Sequence, residues 1–119
     1  GQSMDVENRI TDLSYITGTI NAMARSTDLD LCYTAHCLDR MRERNITVSD
    51  LLFVLKAGTV EEYQGQAKHN SNKIHKYKMT GLHLYTNREI SLILLVEIDR
   101  LKNPAIKLQE IITTMWKDC

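Results

Sequence analysis

The chain has 119 residues, 15 basic and 15 acidic, so it can bury one core but carries no net charge. Neutrality argues against a domain that holds nucleic acid through many phosphate contacts, because such domains are usually basic. The charge is uneven, however, since residues 1–31 carry a net −3 and residues 59–88 a net +3. The middle of the chain therefore permits a local face that binds anions.

Membrane insertion, secretion and metal binding find little support in the sequence. The longest apolar run, residues 90–98, is far too short to cross a bilayer, and the N-terminus lacks the order of a signal peptide. Cys32, Cys37 and Cys119 are not in a paired spacing, which predicts free thiols and a cytoplasmic location. A zinc site built from Cys32, His36 and Cys37 has no evident fourth ligand. We therefore expect no metal, no cofactor and no contact with a membrane.

The chain is predicted to form one domain. Residues 1–3, before the first methionine, resemble a remnant of protease cleavage, and residues 4–119 contain no repeat and no second domain. Apolar side chains recur every three or four positions in residues 5–25, which predicts an extra N-terminal amphipathic helix. This acidic helix would cover a basic site of the same chain, form a homodimer face, or simply complete the core.

Two shorter helices follow, and both have clear boundaries. The second helix is predicted over residues 34–44, with Thr34 as its N-cap and Asn45 as a left-handed stop. The third is predicted over residues 47–57, because its first four residues, Thr-Val-Ser-Asp, match a capping box.

After Gly58 the apolar pattern changes from helical to extended. A polar stretch at residues 65–72 predicts a loop, and Gly81 is predicted to mark a β-bulge. Short connections favour an antiparallel meander with the helices on one face, which is an α+β fold. The four predicted strands span residues 59–64, 73–80 with a continuation to 85, 89–99, and 105–117. The third strand is almost entirely apolar, which predicts a central strand that is covered on both faces.

The most informative motif lies on the second predicted helix. His36, Arg40 and Arg44 follow one another at steps of four, so they share one polar stripe. One imidazole and two guanidiniums on one face suit an anion site, and the imidazole can also move protons near neutral pH. In the alternative interpretation, the arginines pair with Asp39, Glu43 or carboxylates of the strands, and His36 is a half-buried structural histidine.

This stretch resembles a known family. The run from His36 to Thr47 is similar to the H-x-x-x-R-M-x-x-R-G-I-T helix and turn of the DUF4258 family, and weaker likeness extends over residues 33–117. Asn45 stands where glycine is usual, a small change because asparagine tolerates the left-handed conformation. The resemblance implies a small α+β fold of the barnase–EndoU–colicin–RelE type, many of whose members are metal-independent ribonucleases and toxins. The neutral charge departs from the strongly basic RelE-type toxins.

The residues suggest how such chemistry would work. Metal-free RNA cleavage needs a proton acceptor for the 2′-hydroxyl, a proton donor for the leaving oxygen, and cations around the phosphate. We assign His36 as acid or base and Arg40 as the group that stabilises the phosphate. Lys76 and Lys78 are two positions apart in a predicted strand, so their side chains share one face of it. They complete an anion pocket if that face lies opposite the second helix.

Three further residues are candidates for binding. Thr114 and Trp116 share one face of the last strand, where Thr114 would donate a hydrogen bond and Trp116 would stack on a base, while Arg44 extends the helical stripe. The sequence is therefore compatible with two functions. One is a ribonuclease-like or toxin-like enzyme acting on RNA. The other is a non-catalytic module that binds nucleic acid or a protein, such as a cognate antitoxin.

Overall fold

The protein consists of three helices followed by an antiparallel sheet, which confirms the predicted α+β fold. A computed structural model describes residues 9–26, 29, 31–67, 73–103 and 105–118. The strands pair in chain order, β1-β2-β3-β4, every neighbour antiparallel. The elements are α1 (Leu13–Ala24), α2 (Ala35–Arg44), α3 (Val48–Ala57), β1 (Thr59–Gln66), β2 (Ile74–Leu82), β3 (Glu89–Ile98) and β4 (Ile106–Trp116). No helix in these described ranges is long and apolar enough to cross a membrane.

The first helix begins later than the sequence predicts. Asp12 has an extended backbone, and its carboxylate accepts a hydrogen bond from the amide of Tyr15, so α1 starts at Leu13. Residues 9–12 form a turn, and residues 5–8 of the predicted helix lie outside the described residues. An aspartate N-cap supplies a partner for an amide that has none inside the helix, and it therefore fixes the boundary.

The two short helices match their predicted caps. Thr34 accepts a hydrogen bond from the amide of Cys37, and Asn45 ends α2 with a left-handed φ of 58°. At α3, Thr47 and Asp50 form the reciprocal capping box. These contacts connect residues three or four apart in the chain, which explains why local sequence was sufficient to predict them.

Gly81 does not mark a bulge, so this prediction was wrong. It pairs with Ile90 in a regular register, and β2 ends at Leu82 rather than at residue 85. Its role is close packing, because a Cβ at Gly81 would lie 3.1 Å from the Cα of Val54 in α3. The register shifts occur in the β1–β2 and β3–β4 pairs instead. Residues 65–66 of the predicted loop belong to β1, and residues 68–72 lie outside the described residues.

The sheet has a helix-covered face and an open face. Leu92, Leu94 and Val96 of β3 belong to the main core, together with residues of all three helices. On the open face, Leu95 is buried without joining that core, and Lys76 and Glu110 lie directly beside it on the neighbouring strands. The prediction that β3 is covered on both faces was therefore wrong. Its apolar side chains on the open face are shielded within the sheet by their neighbours.

His75 gives the fold a pH dependence that can be measured. Its ring is buried, Nδ1 lies 2.9 Å from the hydroxyl of Tyr63, and burial lowers the pKa of His75. The unfolded chain therefore binds this proton first, as the pH falls through about 6.5. The contribution of the neutral His75 ring to the free energy of unfolding is therefore complete above that pH. It is lost as the pH falls towards the pKa of His75 in the folded protein.

We expect His75→Gln to reduce this loss. Chemical denaturation of both proteins at about pH 7.5 and about pH 5.5 measures it, because the wild type should lose more free energy of unfolding than the variant between these conditions. An identical loss in both proteins would contradict the assignment.

Candidate nucleic-acid interface

The predicted stripe on α2 forms. Its first two members lie at the surface, but they differ in exposure and in bonding. His36 is exposed, and no described residue bonds its ring. Arg40 is half-buried and makes a salt bridge to Glu43, one turn along the same helix. Arg40 therefore makes the ion pair with Glu43 that the alternative interpretation expects. Such an exposed pair contributes little to stability, so it can exchange for another anion at small cost.

The third member of the stripe joins α2 to the end of the sheet. The guanidinium of Arg44 donates to the backbone oxygen of Thr114 at 2.8 Å, and the indole nitrogen of Trp116 donates to the backbone oxygen of Arg44 at 2.8 Å. These reciprocal bonds bring together three residues that the sequence analysis selected. Thr114 contributes only its backbone, because its side chain is fully buried and its hydroxyl donates to the oxygen of Ser91. The predicted donation from Thr114 to a ligand is therefore not available.

Trp116 lies between cationic and aromatic neighbours. The guanidinium carbon of Arg88 lies 4.1 Å from the centroid of the Trp116 ring, within range of a cation–π interaction. Two hydrogen bonds, of 2.9 and 3.2 Å, hold that guanidinium against Asp118. The ring of His83 is also close, at 5.3 Å between centroids. The C-terminal end of α2 thus meets a cluster of arginine, histidine and indole side chains.

The sequence did not indicate a second part of this cluster, which is formed by Asp50 and His83. Asp50 is only 3% exposed; one carboxylate oxygen accepts the amide of Thr47, and the other lies 3.4 Å from Nε2 of His83. Nδ1 of His83 faces the amide of Tyr85 and the hydroxyl of Thr86 at 3.3 and 3.0 Å. A nitrogen that accepts from an amide carries no proton, so we assign the ring proton to Nε2, towards Asp50. Asp50 therefore caps α3 and also orients His83.

Lys76 and Lys78 do not join this surface. They lie on the open face of the sheet, whereas α2 packs its Cys37 and Met41 into the core on the opposite face. Lys78 is directly opposite Glu62 on β1. It also lies near Glu61, whose pKa is lowered mainly by a hydrogen bond from Lys117 and to a smaller extent by the charge of Lys78. The predicted anion pocket between helix and sheet is therefore not formed.

A metal centre has no counterpart in the described part of the chain. No group of three or more histidine, cysteine or acidic side chains there is placed to hold an ion. Cys37 lies inside the core, and burial raises the pKa of its thiol to about 11. Cys37 is therefore protonated at neutral pH, whereas Cys32 is exposed.

These features define a small α+β domain in which one helix and the ends of two strands form a surface of arginine, histidine and aromatic groups. The chain belongs to the family DUF4258, described as a domain of unknown function, which it matches over residues 33–116. The match includes α2, α3 and the whole sheet, while α1 precedes it. No curated protein and no solved structure gives a significant match.

Proposed function

We propose that the protein binds single-stranded RNA along the surface formed by His36, Arg40, Arg44 and Trp116. The observation that carries this proposal is the pair of hydrogen bonds that joins Arg44 to Thr114 and to Trp116 at the end of β4, which makes the row of histidine and arginine side chains on α2 continuous with an aromatic group. His36 and Arg44 are eight positions apart on the helix, a rise of about 12 Å, so the row is long enough for more than one phosphate contact. Guanidinium planes are usual platforms for unpaired bases, whereas Trp116, packed against the core with Arg88 over its ring, fixes the end of the row.

Binding has more support than cleavage. Catalysis would require an acid, a base and cations around one phosphate. Of the predicted set, only His36, Arg40 and Arg44 share a helix face, and Arg44 already donates to the backbone of Thr114. Lys76 and Lys78 lie across the sheet and cannot reach the same phosphate. Strand scission with His36 as the acid or base is thus the second candidate, and the observation in its favour is the exposed ring of His36, to which no described residue bonds.

A titration of fluorescent single-stranded RNA at two salt concentrations tests the proposal. A neutral domain makes few phosphate contacts, about two to four, so affinity should fall only gently with salt. Arg40→Gln should weaken binding and reduce the slope of log affinity against log salt by about 0.7, since one contact is lost. Glu43→Gln should strengthen binding, because it releases Arg40 from its salt bridge.

Lys78→Gln is the matched control, since it removes one positive charge from the opposite face of the sheet. It should leave both affinity and slope unchanged. Equal weakening by Arg40→Gln and Lys78→Gln would show that only total charge matters, and no binding at low salt would leave a protein partner as the better explanation. Gel analysis of the same mixtures detects cleavage, which His36→Ala should abolish without a change in melting temperature.

A further inference from the structure

One aromatic side chain of this protein is open to solvent. The tyrosine, tryptophan and phenylalanine residues all lie in the described ranges, and among them only Tyr85 is exposed, at 86%. Tyr85 belongs to the connection between β2 and β3, residues 83–88. Trp116, by comparison, packs against the core and has the guanidinium of Arg88 over its ring. Tyr85 is therefore the aromatic group that offers a ring face to a ligand.

Although Tyr85 is exposed, contacts within the connection hold it in a defined position. Its amide donates to Nδ1 of His83 at 3.3 Å, and the rings of these two residues meet at 5.9 Å with an interplanar angle of 72°. Nε2 of His83 faces the buried carboxylate of Asp50 in the first turn of α3. The amide of His83 also donates to the backbone oxygen of Arg88, which closes the connection. A platform that is already ordered loses little entropy when it binds.

The ring of Tyr85 lies beyond the end of the α2 row and is connected to it through other rings. The indole nitrogen of Trp116 donates to the backbone oxygen of Arg44, the last residue of α2. The ring centroid of His83 lies 5.3 Å from that of Trp116 and 5.9 Å from that of Tyr85. A strand whose phosphates follow the row therefore meets an exposed aromatic ring where it passes beyond Arg44.

We propose that Tyr85 is the stacking platform for one unpaired base of an RNA strand that lies along the α2 row. This inference rests on the RNA binding proposed above, and it adds an interaction that depends on bases and not on charge. The tilted contact with His83 covers at most one face of the Tyr85 ring, so the other face accepts a base. Such stacking tolerates any base sequence but requires a base outside a duplex. The site therefore takes single-stranded RNA in preference to a duplex.

Binding of an ordinary strand and of an abasic strand, compared at low salt, tests the proposal. Both probes are fluorescent RNA strands of about ten nucleotides, and the abasic strand keeps every ribose and phosphate but has no bases. Tyr85→Ala should weaken binding of the ordinary strand about tenfold, within the range for base–aromatic stacking, and should leave binding of the abasic strand unchanged. The salt dependence should also stay the same, because no phosphate contact is lost. Tyr85→Phe keeps the ring and should bind both strands as the wild type does.

Leu101→Ala is the matched control, because Leu101 is 85% exposed in the turn at the other end of β3. It removes a large apolar side chain of the same exposure and should leave the binding of both strands unchanged. Neither Tyr85 nor Leu101 is part of the core, so equal melting temperatures verify that each variant is folded.

Three outcomes would contradict the proposal, and they separate it from RNA binding as such. If Tyr85→Ala binds the ordinary strand as tightly as the wild type, stacking is refuted while RNA binding along the α2 row is retained. Equal weakening on the two strands would also refute stacking, since Tyr85 would then act without contacting a base. If the wild type binds neither strand at low salt, RNA binding itself is refuted, and the role of Tyr85 with it.

Discussion

Replacement of Gly58 by alanine is expected to lower the free energy of unfolding by about 3 kcal/mol, the upper part of the range for overpacking. A Cβ at this position would lie 2.5 Å from the backbone oxygen of Val54 and 2.6 Å from that of Thr80. Both are main-chain atoms, and the oxygen of Val54 also accepts the amide of Gly58 at 2.7 Å. The φ of −85° is accessible to any residue, so the cost arises from crowding between α3 and β2 and not from backbone strain.

Thermal melting measures this effect, with an expected fall of about 12 °C in the midpoint for a domain of this size. Gly18→Ala is the matched control, because its added Cβ meets nothing within 4 Å. Alanine inside α1 should raise stability by about 0.5–1 kcal/mol. If Gly58→Ala has the same melting temperature as the wild type, α3 can move away from the sheet without a loss of stability.

The second large effect is expected for Asp50→Ala, which should cost about 2–3 kcal/mol of unfolding free energy. The substitution removes the acceptor for the amide of Thr47 and leaves Nε2 of His83 without its carboxylate. Because His83 positions Tyr85 and Thr86, the amides of the connection between β2 and β3 should also exchange faster with deuterated solvent. Chemical denaturation and hydrogen exchange measure the two consequences separately.

A double-mutant cycle distinguishes the two roles of Asp50. If the carboxylate acts on His83 as well as on the cap, Asp50→Ala and His83→Gln should show a coupling of about 1 kcal/mol. Asp50→Asn keeps one acceptor oxygen and should cost less than Asp50→Ala. Purely additive effects would mean that Asp50 serves only as the cap of α3.

The parts of the fold that sequence predicted are those set by short-range interactions. Thr34, Asn45 and the capping box at Thr47 each act within one turn of helix, so α2 and α3 have their expected boundaries. Short connections between strands allow little besides an antiparallel meander, and the strand order follows from that. The alternation of Lys76 and Lys78 with Tyr77 correctly placed the lysines on one face, but it did not indicate which face the helices cover.

The parts that sequence did not predict depend on contacts between distant segments. Asp50 was recognised as a cap, yet its second partner, His83, approaches only when the β2–β3 hairpin packs against α3. The bonds that join Arg44 to Thr114 and to Trp116 likewise require α2 to lie along the end of β4. Gly81 was assigned to a bulge because local sequence does not reveal that Val54 lies against it. None of these contacts produces a periodic pattern in the chain.

The first helix, α1, lies outside the region that the family model matches, yet the fold of this protein depends on it. The family match begins at residue 33, but Ile16 and Ile20 of α1 are fully buried. Thr17 also accepts the amide of Val60, and Asn21 donates to the backbone oxygen of Leu55. A fragment trimmed to residues 33–116 would lose these partners and expose the apolar surface they cover. The region that the family model matches therefore does not by itself cover the apolar face of the sheet in this protein.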